Sequence, residues 1–123
     1  MTEEQIALAR RAVACKGWRW MPGMKYIHRH DIGPDVWSPR IGRHGEKPVR
    51  AKIRKDMLPM FDDPATLGCL LALVREAHAV PFLQVSVKIS REHGYQFDCH
   101  PHHRGQWVDS EAEALVTALE DAP

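Results

Sequence analysis

The densest concentration of chemistry-bearing side chains is Cys99-His100-Pro101-His102-His103, four potential metal ligands within five residues. Imidazole and thiolate suit zinc, copper or nickel. His28 and His30 form a second cluster, and strand spacing would turn both imidazoles to one face. No Cys-x-x-Cys pair and no His-Glu-x-x-His helix accompanies either group. Pro101 and Gly105 place the denser cluster on a loop, where its ligands lie too close in sequence to close a tetrahedral site without distant partners. No bound metal is therefore expected, and Cys99, His100, His102 and His103 are only weak candidates. His102 beside Asp98 or Asp109 could act as an acid–base pair, but a chain with 8 histidines offers such pairs by chance. Cys69 reads as helix packing and Cys15 as an inert thiol at a helix end. Gly-rich phosphate loops are missing. The sequence thus assigns no catalytic residue, no cofactor and no enzymatic activity.

Charge and aromatic placement carry more. Residues 16–55 hold 11 basic and 3 acidic residues, a net of +8, whereas residues 56–123 hold 4 basic and 11 acidic, a net of −7. Such a split marks either a surface that meets an anionic partner or two halves that pair across the fold. Arg40, Arg43, Lys47, Arg50, Lys52, Arg54 and Lys55 are opposed only by Glu46 and form the expected binding surface. Trp18, Trp20 and Trp37 stand near these cations and could stack on bases. Tryptophans also serve as core or interface anchors.

Elements must hold these residues in place. Thr2 with Gln5 three residues on is a capping box, which predicts a helix from Glu3 to Cys15. Trp18 to Met21, the Pro22-Gly23 turn and Met24 to His30 read as a hairpin. Residues 31–48 form a long Gly/Pro-rich loop, and Val49 to Lys55 alternates as a strand with one basic face. Asp63 and Pro64 open a second helix whose apolar stripe is Leu67, Leu70, Leu71 and Val74, ending near Ala77 or His78. Phe82 to Ser90 and Tyr95 to His100 make a second hairpin around His93-Gly94. In it Leu83, Val85, Val87 and Ile89 share one side, as do Tyr95, Phe97 and Cys99. Gln106 to Val108 either continues that strand or forms a short extra one. Ser110 with Glu113 caps a third helix with Leu115, Val116 and Leu119 inward. The fold class is α+β, a mainly antiparallel sheet with about three helices on it, in the order α-β-β-β-α-β-β-α.

A chain of 123 residues fits one domain, 1–123. No stretch approaches the roughly 20 apolar residues of a membrane span, and the polar N-terminus is no signal peptide. Three dispersed cysteines point to reduced thiols in a cytoplasm.

Three stretches are distinctive as sequence: Leu8 to Met24 (LARRAVACKGWRWMPGM), Asp63 to Ala77 (DPATLGCLLALVREA) and Glu111 to Ala122 (EAEALVTALEDA). Together they cover about a third of the chain. They resemble segments of small proteins of unassigned function encoded by tailed phages and prophages. The second half is also similar, in element order, to small phage α/β sandwich domains. The resemblance implies an accessory protein acting in the bacterial host cytoplasm by binding, such as a counter-defence inhibitor of a CRISPR effector. Its partner would be a host protein or protein–nucleic-acid complex met through the basic surface. Two alternatives stand beside this: sequestration of a small nucleotide signal, and direct binding of nucleic acid through residues 40–55.

Overall fold

The structure is a computed structural model and describes residues 2–31, 39–42, 55–79, 85–99 and 103–123. Its architecture is α+β. Helix α1 (Glu3–Val13) is followed by β1 (Tyr26–His28), a 3-10 turn (Arg29–Asp31) and β2 (Met57–Pro59). Then come α2 (Pro64–His78), β3 (Val85–Ser90), β4 (Gly94–Cys99), β5 (His103–Arg104) and α3 (Glu111–Glu120).

The helix ends follow from their caps. Thr2 and Gln5 close the expected capping box on α1, which satisfies two amide donors that a helix start leaves open. Asp63 accepts from Thr66 N–H with Pro64 at the first helical position, and Ser110 accepts from Glu113 N–H. Helix α2 stops at Ala79, whose left-handed backbone (φ 52°) cannot continue the helix. The buried face of α2 is Thr66, Leu70, Leu73 and Val74. Leu73 thus replaces Leu71 in the expected stripe, and Leu67 and Leu71 pack only at its margin. The change turns the inner face toward Thr66, whose hydroxyl accepts the Lys25 amide at 2.7 Å and donates to Asp63 at 2.7 Å.

The first hairpin forms differently from its sequence signal. Residues 18–21 are not a strand; β1 pairs antiparallel with β2 instead, in the register Tyr26↔Pro59, Ile27↔Leu58, His28↔Met57. The other side of β1 is taken by residues 39–41 through Tyr26 N–H to Pro39 O and Ile41 N–H to Met24 O. Trp18 and Trp20 are drawn out of strand geometry into the main core, where both are half-buried. Residues 49–54 of the expected basic strand, and most of the 31–48 loop, lie outside the described residues; Lys55 stands in a turn. The strand nearest that segment is therefore β2, all three of whose residues are buried.

The second sheet runs β3-β4-β5. The β3–β4 hairpin has Val85 opposite Cys99 and Ser90 opposite Gly94. Short β5 and a bridge from Tyr95 to Val108 line the far side of β4; the strand falls at His103–Arg104, not over the expected Gln106 to Val108, of which only Val108 bridges β4. Gly94 has φ +92°, and a Cβ there would lie 2.2 Å from Val108 O, so only glycine fits. Phe97 and Cys99 enter the core as expected, but Ile89 is 74% exposed. Ile89 stands beside the hairpin turn, beyond the helices that cover Phe97 and Cys99.

A large core joins all three helices to β4, with Leu70, Leu73, Val74, Phe97, Leu115, Val116 and Leu119 at its centre. A smaller one holds Ala9 of α1 against Ile27 and Leu58. The three helices point the same way. Leu67 of α2 and the first turns of α1 and α3 line one cleft of about 740 Å³. Ala77 and Leu119 meet the residues just after α1 at the opposite end. Among the described residues no helix is long and apolar enough to cross a membrane.

Candidate functional site

An aromatic ladder leads from the core to the surface along β1. Trp18 meets Trp20 edge-to-face at 5.3 Å between centroids, Trp20 meets Tyr26 at 6.3 Å, and Tyr26 meets His28 at 5.7 Å. On its inner side Trp18 also contacts Phe61 at 6.1 Å. Edge-to-face contacts engage the ring faces a base would stack upon, which suits Trp18 and Trp20 to anchoring the ribbon. Trp37 lies outside the described residues.

The ladder ends in two histidines. His28 closes β1, His30 sits in the following 3-10 turn, and their rings stack at 5.6 Å and 23°. The expected strand stops at His28, so it is the 3-10 turn, and not strand spacing, that brings His30 beside His28. Their shared partner, Asp56, comes from the turn before β2. Its Oδ1 is 3.4 Å from His28 Nδ1 and its Oδ2 3.1 Å from His30 Nδ1. Arg29 N–H donates to Asp56 O at 2.8 Å, which fixes the carboxylate's place opposite the turn. His28 Nδ1 is buried yet lacks hydrogen-bond geometry toward that carboxylate despite the short separation. Sequence reasoning did not find Asp56, because nothing local in it signals a partner from the other strand of a ribbon.

The cations divide into two groups. Arg40 binds Asp63 with both ends of its guanidinium (2.7 and 2.8 Å) and donates to Gly23 O at 2.7 Å. The Arg40 hydrogen bonds, helped by those from Thr66, hold the Asp63 carboxyl well below the usual carboxylate range, and Asp63 in turn raises the Arg40 guanidinium. Arg40 is thereby a structural residue that ties the 39–42 segment to the start of α2. Arg19 pairs with Glu76 in the same way, basic half to acidic half. Lys25, Arg29 and Lys55 form no ion pair among the described residues. Lys25 and Arg29 flank β1, and Lys55 adjoins Asp56. Arg43, Lys47, Arg50, Lys52 and Arg54 lie outside the described residues.

The Cys99 cluster is not brought together as a ligand set. Cys99 is fully buried among Phe97 and the helices, and burial pushes its thiol pKa up, so the thiolate that binds a metal is disfavoured. His100 and His102 are outside the described residues, and of His103 only the backbone, paired with Cys99, is described. Burial likewise raises the Cys15 and Cys69 thiols. Among the described residues no group of three or more His, Cys, Asp or Glu is arranged to hold a metal ion. Asp98, named with His102 only as a chance acid–base pair, is 7% exposed and pairs with Lys88 at 2.9 Å. Asp109 lines the cleft at the helix starts.

That cleft is acidic, with Glu4, Asp62, Asp109, Glu111 and Glu113 around Leu8, Phe61 and Leu67. Three helices pointing one way bring their positive ends together, and carboxylates there offset the aligned dipoles. Neither a protein-family model, nor a curated protein, nor a solved structure matches the chain.

Proposed function

We propose that this chain is an accessory binding protein, of the kind carried by tailed phages and prophages, acting in the host cell cytoplasm on an anionic partner. Its most specific form is a counter-defence inhibitor that occupies a host protein or protein–nucleic-acid complex. The observation that supports this reading is the division among the cations. Arg19 and Arg40 are neutralised by the fold. Lys25 and Arg29 flank β1 at its two ends and Lys55 adjoins Asp56 before β2, none with an ion pair among the described residues, and Lys55 continues in sequence the basic 43–54 segment. Cations that stabilise nothing within the fold supply long-range attraction to an anion and a binding strength that falls with salt.

The test compares immobilised wild type with Lys25→Glu/Arg29→Glu/Lys55→Glu in bacterial lysate, with and without nuclease. The expected result is capture of a partner by wild type, its release by salt, and its loss in the triple variant, which keeps the wild-type circular dichroism spectrum. Equal, salt-insensitive capture by both proteins overturns the basic-surface reading. Capture that disappears on nuclease treatment favours the nucleic-acid alternative over a protein partner.

A further inference from the structure

We propose that His28, His30 and Asp56 form a proton-gated contact for the phosphodiester backbone of a nucleic acid at the end of the β1–β2 ribbon. The proposal rests on the basic-surface reading and names the ligand and the regulation of that surface.

Two imidazoles stacked at 5.6 Å share one carboxylate through both of its oxygens. Each proton taken up by one of the two rings adds one positive charge beside Asp56, so the trio becomes more attractive to an anion as protons are added. Histidine alone among side chains makes such a change near neutral pH without special tuning. The buried His28 Nδ1, close to Asp56 yet outside hydrogen-bond geometry, is where an added proton would gain a charge-assisted bond. His30, with 63% of its side chain exposed, is where an outside phosphate would be met. The other titratable or charged groups near the pair, among the described residues, are Tyr26 in ring contact with His28, Arg29 between the two histidines in sequence, and Lys55 next to Asp56 in sequence.

A phosphodiester chain suits this arrangement better than a folded acidic surface. The cations are separate and exposed or half-exposed, not set in a fixed fork as Arg40 is against Asp63. Separate cations track an evenly charged backbone, and contacts of that kind position without reading sequence. Proton uptake by the rings and phosphate binding favour one another, so affinity should fall as pH rises, by up to about tenfold per pH unit for each proton linked.

The experiment measures fluorescence anisotropy of a labelled oligothymidine, and separately of labelled polyglutamate, from pH 8.5 down to pH 6 at constant ionic strength. The proteins are wild type, His28→Gln/His30→Gln and His30→Gln. The expected result is oligothymidine binding by wild type that tightens by about tenfold or more over this range. The double variant should keep the pH 8.5 affinity and lose the slope. His30→Gln, at an exposed position, serves the same purpose if the double variant does not fold. Oligothymidine binding without a slope, or a slope that both variants keep, overturns the proton gate while leaving the basic surface standing. A slope with polyglutamate and no oligothymidine binding overturns the phosphodiester assignment. No binding of either polyanion by wild type at any pH overturns the basic-surface reading, and the proposal with it.

Discussion

Replacing Asp63 by alanine should be among the most damaging single changes at a partly exposed position of this protein. The carboxylate accepts four hydrogen bonds: Thr66 N–H at 3.0 Å, Thr66 Oγ1 at 2.7 Å, and Arg40 at 2.7 and 2.8 Å. Losing the cap costs about 0.5–2 kcal/mol. Thr66 is fully buried, and stranding its hydroxyl proton adds about 1–3 kcal/mol. The expected loss is therefore about 1.5–5 kcal/mol, with the Arg40 contribution left out because that guanidinium faces solvent. Asp63→Asn keeps an acceptor for the cap and should lose about half as much. Urea unfolding followed by tryptophan fluorescence and by circular dichroism measures both. A loss under about 1 kcal/mol for Asp63→Ala, or equal losses for the two variants, would refute the reasoning. The pH dependence has a definite sign. The folded-state pKa of Asp63 is depressed, so its contribution is fully present above the ordinary carboxylate pKa of about 3.9 and is lost as pH falls below it. The stability gap between wild type and Asp63→Asn should stay flat from pH 7 to about pH 5 and then close on further acidification.

Leu70→Ala should cost about 2–5 kcal/mol, whereas Leu71→Ala, at the core's margin, should cost clearly less; equal losses in urea unfolding would show that α2 presents a different face. Gly94→Ala should cost at least about 1–3 kcal/mol from its φ of +92°, with a further loss from the Val108 carbonyl in the way of the new methyl. A thermal midpoint within a degree or so of wild type would contradict that backbone conformation.

Helix starts were legible in the sequence because a cap is a local transaction: Thr2 with Gln5, Asp63 with Thr66 and Ser110 with Glu113 each act over three residues. The β3–β4 hairpin was legible for the same reason, its strands being joined by a short turn. Pairing of β1 was not, because its partner arrives from beyond the 31–55 segment and competes successfully with the adjacent Trp18–Met21 stretch. The tryptophans decided that competition, since burying two indoles edge-to-face gains more than two extra ladder bonds at a solvent-facing strand. Leu71 was mistaken for core because helical spacing admits both Leu71 and Leu73 next to Leu70, and only the position of α3 selects between them. Of the candidate site, strand spacing pointed to His28 and His30 together, but their stacking comes from the 3-10 turn after β1, and it, Asp56 and the Arg40–Asp63 pair all required the fold. The split of charge between the halves proved to be partly internal pairing, through Arg19–Glu76 and Arg40–Asp63.

The pairing of α1 with α3 bears on how the chain matures at the ribosome. Arg11 reaches Glu120 and Thr117 across 109 and 106 positions of sequence, and Leu115, Val116 and Leu119 complete the core that α2 and β4 begin. Until α3 has left the exit tunnel, the faces of α2 and Phe97 lack their cover, so the emerging chain holds only the smaller core of α1 with the β1–β2 ribbon, the β3–β4 hairpin and an incompletely covered α2. Contacts this distant in sequence also slow the closing step. The nascent chain should thus stay protease-sensitive and open to chaperones until α3 is free, and then complete its core in one cooperative step.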